Sequence, residues 1–287
     1  MNILIFGLGM YVIGSEENNY GTIFPALIEF QKKYGDINKL IFIKKTSNNL
    51  SKIKKKINYQ LKRHKTNINY EIKYNINFDI LLNKLKEKTV AIICLPDHLH
   101  YYYTNLCLKN NISCLVVKPL TFDLDEAKKL KNLAKRKKLY ATVEFHKRLD
   151  KQNLVLRDTF NNKKFGNLLY SIVEFSQRKI IPYKQFNKWV SKTNILNYLG
   201  VHYIDLMRFI SGAVPVRVMA IGQKGWLKKN NINTYDSIQC IIEWKINNYK
   251  IIQNINVNWI DPNNSSAMSD QKIKLMSLSG VKQFPMR

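Results

Sequence analysis

The sequence predicts an α/β protein in two domains. Residues 1–146 would form a doubly wound parallel sheet, and 147–287 an α+β domain with a mostly antiparallel, open sheet. Short β-branched runs alternate with helical stretches through the first half, as a parallel sheet requires. The second half opens on helical patterning and continues as longer strand-like runs, which suits an antiparallel sheet with helices on one face. A chain of 287 residues is long enough for two cores.

In order, "NILIF" (2–6) reads as a buried strand ending at Gly7, and "TIFPALIEFQKKYG" (22–35) as a helix. Thr22 can cap that helix, Pro25 is tolerated in its first turn, and Gly35 closes it. "KLIFIKK" (39–45), "TVAIICLP" (89–96), "SCLVVKPL" (113–120) and "LYATVEF" (139–145) are further strands. "DLDEAKKLKNLAKRKK" (123–138) is a helix with a capping box from Asp123 and Glu126 and lysines towards its C-terminal end. Beyond a boundary near His146–Lys147, strands are expected in "NLLYSIVEFSQ", "VRVMAIGQ", "SIQCIIEWKI" and "YKIIQNINVNW".

Apolar content of 45% and aromatic content of 11% exclude wholesale disorder. No apolar run approaches the roughly eighteen residues of a spanning helix. The opening "MNILIFGLGMYVIG" has no basic residue before it, carries glycines and is followed by Glu16 and Glu17. It therefore reads as a strand and turn rather than a secretory leader, and the protein as cytoplasmic. Cys94, Cys107, Cys114 and Cys240 show neither C-x-x-C pairing nor zinc-ligand spacing, so no metal is expected.

The net charge of +27 is spread along the chain, with lysine, asparagine and isoleucine over-used together as an AT-rich gene would dictate. The densest stretch, "SKIKKKINYQLKRHK" (51–65), reads as a solvated helix face or as a nucleic-acid patch. No aromatic platform accompanies it, so specific nucleic-acid binding is not expected. A positive field that draws in anionic small molecules is the milder consequence.

"GLGMYVIG" (7–14) directly follows the first strand. Gly7 permits a tight turn and Gly9 lets backbone approach a pyrophosphate, with Met10, Tyr11 and Val12 completing the turn. Val12 stands where the fingerprint has its third glycine, and the helix is expected only from about Thr22. After the second strand, "KKTSNN" (44–49) has no acid for a ribose 2′-hydroxyl. Lys44, Lys45 and Ser47 could meet a 2′-phosphate, which tilts the expectation from NAD toward NADP.

Four of the five histidines stand beside other unusual residues: His98 and His100 in "PDHLH", His146 in "FHKR" and His202 in "ILNYLGVHYIDLM" (195–207). In that last stretch Tyr198, His202 and Asp205 recur at helical steps of four and three and would share one face. Leu199, Ile204, Leu206, Met207 and Phe209 would anchor the helix.

Read in order, "GLGMYV", "CLPDHLHYYYTNLCL", "LVVKPLTFDLDEAKKL", "FHKRLD" and "YLGVHYIDLMRFISG" resemble the glucose-fructose oxidoreductase / inositol dehydrogenase / rhizopine-catabolism (Gfo/Idh/MocA) family. "WIDPNNSSAMSDQKIK" (259–274) is similar to a stretch in one branch of it. The resemblance implies a Rossmann domain that holds NAD(P) and a second domain that covers a sugar or cyclitol. A hydride would pass between a carbinol carbon of that substrate and the nicotinamide. Lys118 falls on the lysine of a Glu-Lys-Pro motif, with Pro119 retained and Val117 where the glutamate usually stands. His202 matches a proton-shuttling histidine, and Asp205 a carboxylate that touches substrate or holds the imidazole. Tyr198 replaces an aspartate, and a phenol cannot orient His202 as a carboxylate does. Leu95, Pro96, His98 and His100 would border the nicotinamide. His146 and Arg148 would lie near substrate, and Trp189 would cover the cofactor or serve as packing.

The closing "SLSGVKQFPMR" departs from the family pattern, which continues for more strands. A truncation with an exposed sheet edge is the expectation there. Three functions compete: an NAD(P)-dependent sugar or cyclitol oxidoreductase, a remnant that binds nucleotide or a partner without turnover, and a charge-driven nucleic-acid binder. Copies of the chain could associate through the C-terminal sheet.

Overall fold

The computed structural model describes residues 1–14, 20–83, 85 and 88–285. Glu16 and Glu17, and Met286 and Arg287 of the closing stretch, lie outside the described residues. The chain divides into two compact units, Met1–Glu144 and Phe145–Arg287.

The first unit runs β1 (Asn2–Phe6), α1 (Met10–Ile13), α2 (Ile23–Tyr34), β2 (Lys39–Lys44), α3 (Leu50–Arg63), β3 (Tyr70–Tyr74), α4 (Phe78–Asn83), β4 (Thr89–Ile93), α5 (His100–Lys109), β5 (Ser113–Val117), α6 (Leu124–Arg136) and β6 (Ala141–Glu144). Its six strands are parallel in the order β3-β2-β1-β4-β5-β6. The winding direction reverses between β1 and β4, and such reversals leave a crevice beyond the carboxyl ends of the strands.

All five residues of β1 are buried, because a central parallel strand is covered on both faces. Ile3 and Ile5 pack with Phe24 and Ile28 of α2 and with Ile53 and Ile57 of α3. Leu4 and Phe6 point the other way, toward Cys107 and Leu108 of α5 and Leu130 of α6. The lysine-rich stretch is α3: Ile53, Ile57 and Leu61 are buried, and Lys52, Lys54 and Lys55 line its solvent face.

Helix starts differ from expectation in three places. A one-turn helix, α1, begins directly after Gly9, whereas the sequence suggested none before Thr22. Thr22 precedes α2 without a side-chain cap; its hydroxyl is engaged by the Tyr11 phenol, and only its carbonyl accepts from Ala26. The capping box on α6 is half formed. Asp123 accepts from the Glu126 amide at 2.8 Å, but the Glu126 carboxylate takes the Thr121 hydroxyl.

The second unit comprises α7 (Lys151–Asn161), β7 (Leu168–Arg178), α8 (Val201–Ser211), β8 (Val214–Gln223), α9 (Trp226–Lys229), β9 (Ser237–Ile246), β10 (Tyr249–Asp261), β11 (Ser269–Ser277) and β12 (Gly280–Pro285). The sheet order is β12-β11-β7-β10-β9-β8. β7 and β10 run parallel and the other neighbouring pairs antiparallel. The closing stretch of the sequence is itself a strand, β12, at one edge of this sheet.

On β10, Ile251, Gln253, Ile255, Val257 and Trp259 alternate into the core. The buried polar groups among them are matched. Gln253 accepts from the Trp244 indole at 3.0 Å and donates to the Tyr203 carbonyl of α8 at 3.3 Å, fastening helix to sheet. Among the described residues no helix is long and apolar enough to cross a membrane.

Candidate active site

Gly7 ends β1 at a φ of +101°, and a Cβ there would run into the Cys94 carbonyl on the neighbouring strand end. Position 7 therefore admits only glycine. Gly9 is different: its φ is −82°, and a Cβ would meet nothing within 4 Å. The open ground in front of Gly9 lies at the carboxyl end of β1, where a pyrophosphate can come close to backbone. These residues fit a dinucleotide. Val12, in place of the third glycine, is fully buried in the core. The close approach is made at Gly21 instead (φ +77°), where a Cβ would lie 2.6 Å from the Val12 carbonyl and the Gly14 nitrogen.

Met10 and Tyr11 share the α1 turn with Val12. The Tyr11 phenol is pushed well above its usual pKa, first by burial and then by the charge of Glu144, with which it hydrogen-bonds. Lys45 and Ser47 are exposed after β2. Lys44 is occupied by its own loop, donating to the carbonyls of Thr46 (2.9 Å) and Asn48 (2.7 Å), so only Lys45 and Ser47 keep the position expected for a phosphate contact.

Leu95 and Pro96 follow β4 and lead into a single turn, Asp97–Leu99, that contains His98. His100 is fully buried. Its ring nitrogens lie 2.5 Å from the Pro119 carbonyl and 2.8 Å from that of Leu95, so the imidazole ties two strand-end loops together inside the fold. Lys118 and Pro119 follow β5 and are joined by a cis peptide. Burial lowers the Lys118 pKa to about 8, while the charges of Asp97 and then Glu144 oppose the fall. The residue as a whole is half-buried, and desolvation disfavours its charged form.

In the second unit, the helix that carries Tyr198, His202 and Asp205 is not a uniform α-helix. Leu196–Gly200 is a wider π turn and α8 starts at Val201. His202 and Asp205, one turn apart on α8, both face the segment from Phe145 to Arg148, and the π turn sets the spacing of Tyr198 from them. The Tyr198 ring lies in an aromatic cluster with Phe186 (5.1 Å), Trp259 (5.6 Å) and Trp189 (6.0 Å). The buried His202 ring meets that of His146 edge-on at 4.8 Å. Asp205 accepts from Arg148, whose Nε lies 2.7 Å away and whose second nitrogen reaches the other carboxylate oxygen. That hydrogen bond raises the Arg148 pKa against the opposing effect of burial. Leu199, Leu206 and Met207 anchor the helix as expected, but Ile204 and Phe209 are only half-buried, and Tyr203 and Ile210 take the inner positions.

Two residues, Asp97 and Glu144, went unnoticed in the sequence, and a third, Lys147, had no role of its own there. Asp97 sat inside "PDHLH" and Glu144 inside a strand, and nothing in one dimension pairs either with Lys118. Lys147, the middle residue of "HKR", is buried over the rings of Tyr203 (5.6 Å) and Phe175 (5.8 Å), and burial lowers its pKa.

Residues 1–145 match the family profile described as an oxidoreductase family with an NAD-binding Rossmann fold, Gfo/Idh/MocA. The chain is 24% identical over 196 residues to the scyllo-inositol 2-dehydrogenase (NADP(+)) IolW of Bacillus subtilis, a match covering 65% of this chain and 53% of that protein. It is 27% identical over 138 residues to the UDP-N-acetylglucosamine 3-dehydrogenase of Acidithiobacillus ferrooxidans, covering 48% of this chain and 41% of the relative. These matches thus span about half the length of the curated relatives. In fold, the chain superposes on the myo-inositol 2-dehydrogenase of Lactobacillus plantarum with a TM-score of 0.74 at 14% identity, over 99% of this chain and 76% of that one. With its doubly wound sheet, glycine turn and matched first half, the chain belongs to the Gfo/Idh/MocA family of oxidoreductases.

Proposed function

We propose that the protein is an NAD(P)-dependent oxidoreductase acting on a hydroxyl or carbonyl carbon of a sugar, sugar derivative or cyclitol, with Met1–Glu144 as the nucleotide unit and Phe145–Arg287 as the substrate unit. The observation that carries this reading is Lys118. An amine with a pKa of about 8 stands after the fifth strand of a parallel sheet whose first turn leaves open ground at Gly9.

Bound nicotinamide supplies the hydride acceptor or donor. Lys118 hydrogen-bonds the reacting hydroxyl through Nζ and stabilises negative charge on its oxygen as the carbon–hydrogen bond breaks. His202 takes the hydroxyl proton on an imidazole nitrogen, or returns it in the reverse direction. Gly7, Gly9, Met10, Tyr11 and Val12 form the phosphate turn. Lys45 and Ser47 select for a 2′-phosphate, and Leu95, Pro96, His98 and Pro119 shape the wall beside the nicotinamide, with His100 holding that wall from within. His146, Arg148 and Trp189 line the substrate side, Arg148 by fixing Asp205. The four free thiols suit a cytoplasmic setting. Copies associate through the second sheet, whose Met219, Ile221, Ile241, Ile252 and Ile260 are exposed; light scattering that returns a monomer would remove that part.

A second reading, a remnant that binds nucleotide without turnover, is favoured by Tyr198, whose ring is taken up by aromatic packing. Fluorescence titration with NADH and NADPH, followed by assay across a sugar and cyclitol panel, separates the two. The oxidoreductase reading expects tighter NADPH binding, loss of binding in Gly9→Glu, and a fall in kcat of about a hundredfold or more in Lys118→Met. Binding with no turnover on any substrate would favour the remnant, and no binding of either nucleotide would sink both.

A further inference from the structure

We infer that Glu144 is the positioning residue of Lys118: from the end of β6 its carboxylate gathers the amine and the Tyr11 hydroxyl into one polar cluster. The inference rests on the proposed role of Lys118.

The strand register supports it first. β5 and β6 are parallel neighbours, and Glu144 is paired with Val117, the residue before the lysine. The register therefore sets the backbone of Glu144 beside the end of β5, and Lys118 lies one position past the strand, where the alternation of faces ends. Val117 is apolar, so the acid at this point of the sheet edge comes from the neighbouring strand.

The electrostatics support it next. The Tyr11 hydroxyl hydrogen-bonds Glu144, and the charge of Glu144 acts on the Lys118 ammonium and on the Cys94 thiol. Asp97 is the other acid that acts on Lys118, and the stronger of the two. What sets Glu144 apart is its second partner. Tyr11 stands on the turn that follows Gly9, so one carboxylate links the glycine turn to the amine. A carboxylate with two such donors resists rotation, and the lysine, a flexible point charge, gains a fixed counter-charge.

The test is competitive acylation of lysines across pH, read by mass spectrometry on the full chain without nucleotide or substrate. In the parent protein Lys118 should label with a midpoint near 8. In Glu144→Gln, which keeps the shape and removes the charge, the midpoint should fall by about one unit. Labelling at pH 7 then rises about fivefold, because the neutral amine becomes more abundant. The exchange Val117→Glu with Glu144→Val should restore the parent midpoint, since the acid returns at the paired position. A midpoint unmoved in Glu144→Gln, or an exchange variant that stays at the lowered value, overturns the assignment. Should Glu144→Gln not fold, Glu144→Asp carries the same test, with a smaller fall expected and an unmoved midpoint again overturning the assignment. A Lys118 that titrates as described in a protein without turnover would overturn the proposed activity and leave Glu144 in place.

Discussion

Lys118 and Arg148 are cations set beside carboxylates, one in each unit, and their surroundings leave them in opposite states. The Lys118 ammonium has given up its water, and the charges of Asp97 and Glu144 do not make good the loss, so its pKa falls to about 8. The Arg148 guanidinium meets both oxygens of Asp205 and is held more firmly protonated than usual. A planar fork matches a carboxylate at two points and saturates it, whereas an ammonium is a compact, strongly hydrated point charge that loses more when its water is removed. An amine whose pKa is lowered and a guanidinium whose pKa is raised thus arise from the same two residue classes, separated by whether burial or the neighbouring carboxylate prevails.

The largest effect should come from taking the desolvated charge away. A lysine whose folded pKa lies below its unfolded value of 10.5 destabilises the fold while both states are protonated, and the penalty lifts as pH climbs from about 8 toward 10.5. Lys118→Met should therefore stabilise the protein at pH 7, by up to about 3 kcal/mol. Denaturant unfolding at pH 7 and at pH 10 measures this: the gain should shrink through that window, because the parent protein recovers its own stability as the amine deprotonates. A gain that is the same at both values would mean that the methionine merely packs better.

Arg148 should behave in the reverse sense. Its side chain is 42% exposed and that of Asp205 only 10%. Arg148→Ala leaves a nearly buried carboxylate unmatched and should cost about 2 kcal/mol. Asp205→Ala frees a guanidinium that can turn to solvent, and should cost about half as much. Equal losses would show that the pair is valued for packing, not charge.

The contrast also explains what could be read from one dimension. The parallel sheet was legible because β1, β2, β4 and β5 are short apolar runs bounded by glycine, proline or lysine, and that pattern depends on neighbours in sequence. Lys118 stood out through its match to the family's Glu-Lys-Pro motif, and it lies directly after β5 as that match implies. Glu144 did not, because its meaning lies in a cross-strand pairing with Val117 and in a hydrogen bond to Tyr11, more than a hundred positions away. Of the Tyr198–His202–Asp205 stripe, the last two share a face of α8, and only the step from Tyr198 crosses an irregular turn. Spacings of four and three share a face only at 3.6 residues per turn, and the π turn at Leu196–Gly200 breaks that rule where Tyr198 sits. His100 misled through chemistry: a histidine after a strand end suggests a ligand contact, yet two backbone carbonyls had already claimed its ring.

Arg148→Lys is the smallest change and the sharpest test of the comparison, because it keeps the charge and removes the fork. If geometry is what separates the two cations, a lysine at 148 can satisfy one carboxylate oxygen at a time, and the Nε contact at 2.7 Å is lost. The guanidinium also lies over the rings of Phe145 (5.2 Å) and Phe209 (5.4 Å), where a planar cation stacks better than an ammonium. The expected loss is about 1 kcal/mol, between the parent and Arg148→Ala. Added salt should enlarge it, since a solvated single contact is screened more than a bidentate one. A lysine that restores full stability would show that charge alone carries the pair, and the distinction drawn between Lys118 and Arg148 would then rest on burial rather than on the shape of the cation.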